Sequence, residues 1–505
     1  MSALQQKKFY ITTAIDYPNG RPHMGHALEK VVSDCYARWY QFKGHQSKLL
    51  TGTDENGQKL IESAKKENLE TQTFVDQNVM VFKELCQKLN IHYSDFIRTT
   101  EKRHAEKCVE FWNKLSLSGD IYFGVYSGNY CLQCESFYTE TQAPDGTCPA
   151  HHTQLTKKEE AGYFLKLSKY RDFILDHFKA HPDFIVPRSS YNEMLSRLES
   201  EELRDLPISR PNEGWGIVVP TPKGHEHEQK FVMYTWFDAL INYYSALNKD
   251  DEARFWPADV HVIGKDIAWF HTIIWPIMLK GMNLALPKQV YVHGMILAED
   301  GKKMSKSLGN VIDPFTMLEK YPLDSFRYYL LRAIPAQSDG KFSEKELVDK
   351  HNAELGNSFG NLIMRVIKLY LKNNDPAVDA TDVTQDVFFQ EYYEKMSAHM
   401  DAREHNKALE VLLESINSMN QYVNTKEPWK LKENKRELKQ VVYNCLYSIH
   451  AIALLMTAFL PDTATNALIP LGKKLHSFET FIFGESYQLS DPTPLFPKID
   501  PPAPV

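Results

Sequence analysis

Three stretches of chain differ in the period of their apolar positions. At the start, Lys8–Ile15 (KFYITTAI) is aromatic and β-branched, which predicts a strand. The turn formers of DYPNGRP follow. HMGHALEKVVSDCYARWYQFKG then sets Leu28, Val31, Val32, Cys35, Tyr36 and Trp39 at helical spacing, with Gly44 where a helix would be capped. HQSKLLTGTDENG reads as a second strand running into a polar turn. Strand, helix, strand is a βαβ unit and predicts an α/β domain with a doubly wound parallel sheet.

The pattern changes over residues 118–225, where turn formers, short strands and a cysteine cluster suggest an insertion. The α/β pattern returns with FVMYTWFDALINYY, the strand DVHVIG, a helix from Asp266 and the strand QVYVHGMIL. After Asp313-Pro314 the chain is mostly helical to about residue 480, and Leu355, Phe359, Leu362, Val366 and Leu369 form one stripe. The Pro-rich tail DPTPLFPKIDPPAPV is expected to lie extended against the surface. The apolar run Ile449–Leu460, broken by His450 and Thr457, is shorter than the ~20 residues that cross a bilayer and predicts a buried helix.

Composition narrows the class. The 505 residues suffice for about three or four domains of ~100–200 residues. With 43% hydrophobic and 24% charged residues, the chain reads as a globular protein without a membrane span. The net charge of −7 means that any face for nucleic acid must be a local basic patch. The N-terminus lacks signal- and transit-peptide patterns, so a cytoplasmic location is expected. Seven cysteines, three of them clustered, suggest a metal rather than disulfides. Cys131-x2-Cys134, thirteen residues, then Cys148-x2-His151 has the spacing of a closed tetrahedral zinc site, structural rather than catalytic. His152 is the alternative fourth ligand; the mirrored spacing favours His151.

Two motifs carry candidate chemistry. His23-Met24-Gly25-His26 stands where a turn enters a helix, so unpaired N–H groups and the dipole face an incoming phosphate. Gly25 permits close approach, and His23 and His26 can donate to a phosphorus centre gaining charge. Roughly 280 residues on, Lys303-Met-Ser-Lys306-Ser offers two ammonium groups on a loop, suited to the β and γ phosphates of ATP. Alone, the first is a chance string and the second a solvated basic loop.

Together, the pair resembles the signatures of class I aminoacyl-tRNA synthetases. AIDYPNGRPHMGH, TGTDENG, FIRTTE, LRDLPISR, YTWFDALINY, HVIGKDIAWFHTIIWP, HGMILAEDGKKMSKSLGN, GNLIMR and EPWKL are similar to the methionyl-tRNA synthetases among them. That resemblance implies methionine activation with ATP and transfer to tRNA(Met), with Mg²⁺ accompanying ATP and a single structural Zn²⁺. It implies a Rossmann-like catalytic domain in two halves, 1–117 and 226–292. A connective-peptide insertion at 118–225 would hold the zinc knuckle, a stem-contact region at 293–348 the KMSKS loop, and 349–505 a helical anticodon-binding domain with the tail.

By resemblance, Ile15, Tyr17, Asp54, Trp236, Ala239, Tyr243, Ile267 and His271 line the methionine site. Asp54 would take the ammonium group, and Tyr17 and His271 would turn polar atoms toward the sulfur. Bland readings stand beside these: Trp236, Ala239 and Tyr243 also fit a plain core stripe, and Asp54 a helix cap. Gly25, Lys265, Asp266, Gly294 and Lys306 fall to ATP, with Arg210 near the reaction centre. Asn361 and Arg365, four apart on one face, and Trp429 fall to the anticodon, although Trp429 equally suits an inward-packed helix start. The insertion is too small for a large editing domain, and a monomer is expected. The rivals are a class I synthetase for another amino acid, a non-catalytic RNA-binding paralogue and a zinc-dependent nucleic-acid regulator.

Overall fold

The computed structural model describes residues 7–131, 136–138, 143–149, 152–220, 230–304, 310–372 and 374–501. In chain order the strands that frame the site are β1 (Lys8–Thr13), β2 (Gln46–Thr53) and β3 (Asp95–Arg98). Then come β4 (Ile121–Cys131), β5 (Ser136–Tyr138), β6 (Thr156–Leu165), β7 (Ile185–Val186), β8 (Leu206–Pro207), β9 (Ser209–Pro211) and β10 (Phe231–Met233). The last two are β11 (Val260–Gly264) and β12 (Val290–His293).

Six of them form one sheet in the order β3-β2-β1-β11-β12-β7. Every neighbouring pair is parallel. The chain leaves β1 toward β2 on one side, while β11 and β12 lie on the other. The carboxyl ends of β1 and β11 therefore diverge at a topological switch point, where open α/β sheets bind ligands. The helix Met24–Phe42 follows β1, and its predicted stripe (Leu28, Val31, Val32, Cys35, Tyr36, Trp39) is buried against the sheet. Lys43 caps it, and Gly44 beyond adopts φ +77, the left-handed conformation open to glycine.

Residues 118–225 are not one separate unit. β4, β5, β6 and β8 form a small antiparallel sheet in the order β5-β4-β6-β8, but β7 pairs with β12 and completes the main sheet. β9 pairs with β10 across the expected boundary at 225. The helix expected from Asp266 is built in three pieces: a 3-10 turn (Lys265–Ile267), a π-helical turn (Phe270–Ile274) and an α-helix (Trp275–Gly281).

The C-terminal region is helical, with long helices His405–Lys426 and Lys435–Met456. The run from Ile449 is buried in the second of these, and among the described residues no helix is long and apolar enough to cross a membrane. A fully buried ion pair joins this region to the catalytic frame. Arg327 Nη2 donates to Asp34 Oδ2 at 2.7 Å, and its other nitrogens donate to the carbonyls of Leu89 and Phe459. The tail lies extended: His351 Nε2 meets the Pro497 carbonyl at 2.8 Å, and Asn352 exchanges two hydrogen bonds with Ile499.

Candidate active site

Two cavities open at the switch point and share Ala14, Ile15 and Ile267. The larger, about 410 Å³, is lined by His23, Gly25, His26, Asp266, Gly294 and Lys303, all anticipated for ATP, together with Tyr17. The smaller, about 30 Å³, is lined by Ile15, Asp54, Trp236, Ala239, Tyr243, Ile267 and His271. Seven of the eight residues anticipated around methionine thus meet; Tyr17 faces the larger cavity instead.

The entry to helix Met24–Phe42 is a capping box made of the two histidines. His23 Nδ1 accepts from Gly25 N at 3.1 Å, and His26 Nδ1 accepts from His23 N at 3.0 Å. Acceptance at Nδ1 leaves the proton of each neutral ring on Nε2. The rings stack with centroids 3.8 Å apart. Burial, then His23 and Lys30, hold the His26 pKa well below its ordinary value, so the ring is neutral. A Cβ at Gly25 would sit 2.9 Å from the His23 ring, which accounts for glycine between them.

Beneath the histidines lies a charge network that the sequence reading missed. Lys30 Nζ, 1% exposed, pairs with Asp16 at 2.9 Å. Burial pushes the Asp16 carboxyl up to about 6 against the pull of Lys30, while Asp16 and Glu29 hold Lys30 above its usual value despite burial. Both are ionised at neutral pH. Nearby, His293 Nε2 lies 3.1 Å from Glu29 Oε2, and its Nδ1 lies 2.8 Å from the Gly294 carbonyl. An acceptor at each nitrogen favours the doubly protonated ring: burial opposes the charge, but Glu29 raises the pKa above its ordinary value. Gly294 is required by close approach, since a Cβ there would meet the Ser338 carbonyl at 2.1 Å.

The smaller cavity is apolar with an acidic floor. Trp236 stacks on Phe270 with centroids 3.9 Å apart. Tyr243 donates to His271 Nε2 at 2.6 Å, because His271 Nδ1 faces the Ile267 carbonyl at 3.0 Å and must carry the proton. Both nitrogens of His271 are therefore engaged within the protein. Asp54 is 8% exposed. Burial and the Asp54 charge hold the neighbouring Asp238 carboxyl well above the ordinary range, with Asn56 Nδ2 on its Oδ2 at 2.7 Å.

Other anticipated residues lie apart. Lys265 lines neither cavity and pairs with Asp339 at 2.6 Å. Arg210, on β9, is buried with its guanidinium 4.3 Å from the Tyr234 ring centroid and lines neither cavity. Lys306 lies outside the described residues, as do Cys134 and His151. Cys131 and Cys148 are buried together in a small cluster with Ala143 and Leu155. On the helical region, Asn361 is exposed, and the Arg365 guanidinium sits 4.6 Å from the ring centroid of half-buried Trp429.

Comparison with known proteins agrees with this geometry. A family model described as tRNA synthetases class I (M) matches residues 9–159 and 150–367. The methionine–tRNA ligase of Clostridium acetobutylicum is 39% identical over 98% of this chain and 79% of its own length. That of Bacillus subtilis is 39% identical over 98% and 78%. The structure of Mycobacterium tuberculosis methionyl-tRNA synthetase with methionyl-adenylate superposes with a TM-score of 0.90 at 35% identity, covering 97% of this chain and all of that one. The free form of the same enzyme gives 0.85 at 33% identity, covering 99% of this chain and all of that one. This chain belongs to the methionyl-tRNA synthetases, a family of the class I aminoacyl-tRNA synthetases.

Proposed function

We propose that the chain is a methionine–tRNA ligase working through the two joined cavities. The methionine carboxylate attacks the α-phosphorus of ATP, an O–P bond forms, and pyrophosphate leaves. A ribose hydroxyl of the 3′-terminal adenosine of tRNA(Met) then attacks the adenylate's carbonyl carbon, and AMP leaves. The observation that carries this reading is the junction of an apolar slot with a charged cavity over a helix N-terminus. It matches an apolar amino acid joined to a nucleotide.

In this reading the thioether enters between Trp236, Ala239, Tyr243 and His271, where aromatic rings suit a polarizable sulfur. The ammonium group meets Asp54, and burial with the Asp54 charge, which together raise the Asp238 pKa, would favour a cation there. The Nε2–H groups of His23 and His26 donate to the phosphate as its charge grows. Lys303 and Lys306 neutralise the departing pyrophosphate, and Asp266 and Gly294 border the nucleotide. Tyr17 closes the cleft from the nucleotide side; Lys265 and Arg210 reach it only by moving from the partners described. Mg²⁺ accompanies ATP and shields its phosphates. Zinc would be held by Cys131, Cys134, Cys148 and His151. The shared burial of Cys131 and Cys148 fits such a staple, which lends a small sheet the stability its core lacks. Asn361, Arg365 and Trp429 form the anticodon-reading patch, and the chain acts as a cytoplasmic monomer.

Methionine-dependent ATP–pyrophosphate exchange tests the reading, with His23→Ala and Lys306→Ala alongside. Exchange with methionine alone, lost in both variants, is expected. Folded protein with no exchange for any amino acid would replace it with the RNA-binding paralogue.

A further inference from the structure

Beyond the last long helix, residues 473–488 fold back over Lys435–Met456. The backbone of this segment pairs with the chain at Ala377–Val378, and Ser477 Oγ donates to the Phe42 carbonyl, the last residue of the helix that follows β1. Where it crosses the long helix, His450 meets His476 and Glu485. One ligating atom from each lies within 4.8 Å of the others.

His450 is the unexplained member. It is 0% exposed, yet among the described residues neither Nδ1 nor Nε2 has a hydrogen-bond partner. Buried polar groups are almost always satisfied, and an imidazole has two such groups. The rings of Phe481 at 4.7 Å and Tyr487 at 6.0 Å between centroids pack around it without a hydrogen bond to either nitrogen. His476 is arranged differently: its Nδ1 faces the Ser477 carbonyl at 2.9 Å and Thr480 Oγ1 at 3.2 Å. Donation there fixes the proton on Nδ1 and leaves the Nε2 lone pair outward, the orientation that metal-bound histidines take. The Glu485 carboxylate is held by the Lys473 ammonium, so a cation already occupies the acidic corner. Burial, then His476 and Lys473, push the His450 pKa down to about 3, so the ring is neutral, as a ligand must be.

We propose that His450, His476 and Glu485 form a second, structural metal site for zinc or a similar divalent transition ion, which clasps the C-terminal segment to the long helix. Two imidazole nitrogens and one carboxylate oxygen suit such ions, whereas Mg²⁺ and Ca²⁺ take oxygen ligands. Metal–ligand lengths of about 2.0–2.2 Å place tetrahedral ligands roughly 3.4 Å apart, so the three side chains close by about an ångström through rotation. Lys473 then releases one carboxylate oxygen, and water takes the fourth position.

The test uses the full chain, stripped of metal and reloaded with Co²⁺ or Zn²⁺, beside His476→Ala and Glu485→Gln. His476 and Glu485 are only partly buried, so both variants are expected to fold, and circular dichroism of the metal-free proteins checks this. The native chain should retain one more equivalent of metal than either variant. Its cobalt spectrum should lose d–d intensity in the variants while any thiolate-to-cobalt charge transfer from the cysteine knuckle is unchanged. Zinc should raise the melting temperature of the native chain by several degrees more than that of the variants. Equal metal content and equal zinc-induced shifts in all three proteins would overturn the site. Because the count is a difference, an empty knuckle does not disturb it.

Discussion

The two cavities at the switch point are built on opposite principles. The larger, about 410 Å³, is walled by titratable groups that balance one another: Asp16 against Lys30, Glu29 against His293. The smaller, about 30 Å³, has its ring polar atoms closed on one another, Tyr243 on His271 and His271 on the Ile267 carbonyl, with Asp54 as its one charged lining residue. Balanced charge keeps a site open and ready, because each group has a partner before any ligand arrives. Closed hydrogen bonds and stacked rings let an apolar slot collapse. A space of this size holds about one or two waters, less than a methionine side chain. The slot must therefore widen before a methionine side chain fits, whereas the larger cavity is already formed.

If the cavities divide the labour in this way, variants should sort by substrate. The largest effect is expected from Asp54→Asn: removal of a buried charge from its ammonium partner should lower kcat/KM for methionine about 100-fold, equivalent to about 2.7 kcal/mol. The KM for ATP should not change in pyrophosphate exchange; a rise in it instead would dissolve the distinction. His23→Ala should act from the other side, lowering kcat about 30- to 100-fold with the KM for methionine intact, measured in the same assay. Tyr243→Phe leaves His271 Nε2 without its donor and should raise the KM for methionine about fivefold, for about 1 kcal/mol, with kcat little changed. The smallest effect is a matter of pH. Asp16 takes up a proton as pH falls through about 6, rather than near the ordinary 3.8, and then loosens its hold on Lys30. The exchange rate should be roughly halved near pH 6. An Asp16→Asn variant should show no acid limb there; an unchanged limb would assign it to another group.

The frame of this site was legible because its signals are local. Turn formers, a helix start with two histidines and a stripe of apolar residues sit within one βα unit, and all of them agree. What was not legible depends on distance. β7 has two residues in a turn-rich stretch, and nothing in its own neighbourhood says that it pairs with β12. Lys30 follows Glu29 on a helix whose periodicity treats both as solvent-facing; only the arrival of Asp16 from the β1 end and of His293 from β12 buries them. Lys265 next to Asp266 reads as a pair with one purpose, yet Asp339, from beyond the KMSKS loop, draws the lysine aside. The engagement of both His271 nitrogens likewise follows from a helix turn and a tyrosine that sequence spacing does not bring together.

The strand order has a consequence for how the chain is made. β1 lies in the middle of the sheet, yet its neighbour on one side is β11: Thr12 and His261 are register partners 249 positions apart. During synthesis at roughly 5–20 residues per second, β1 waits about 10–50 s for that partner to emerge. Through that interval an edge rich in Phe, Tyr and Ile is bare, with β2 alone beside it. An exposed edge of this kind templates wrong pairings. The ribosome-bound chain is thus most vulnerable between completion of β2 and emergence of β11, and a helper that covers this edge would matter most in that window.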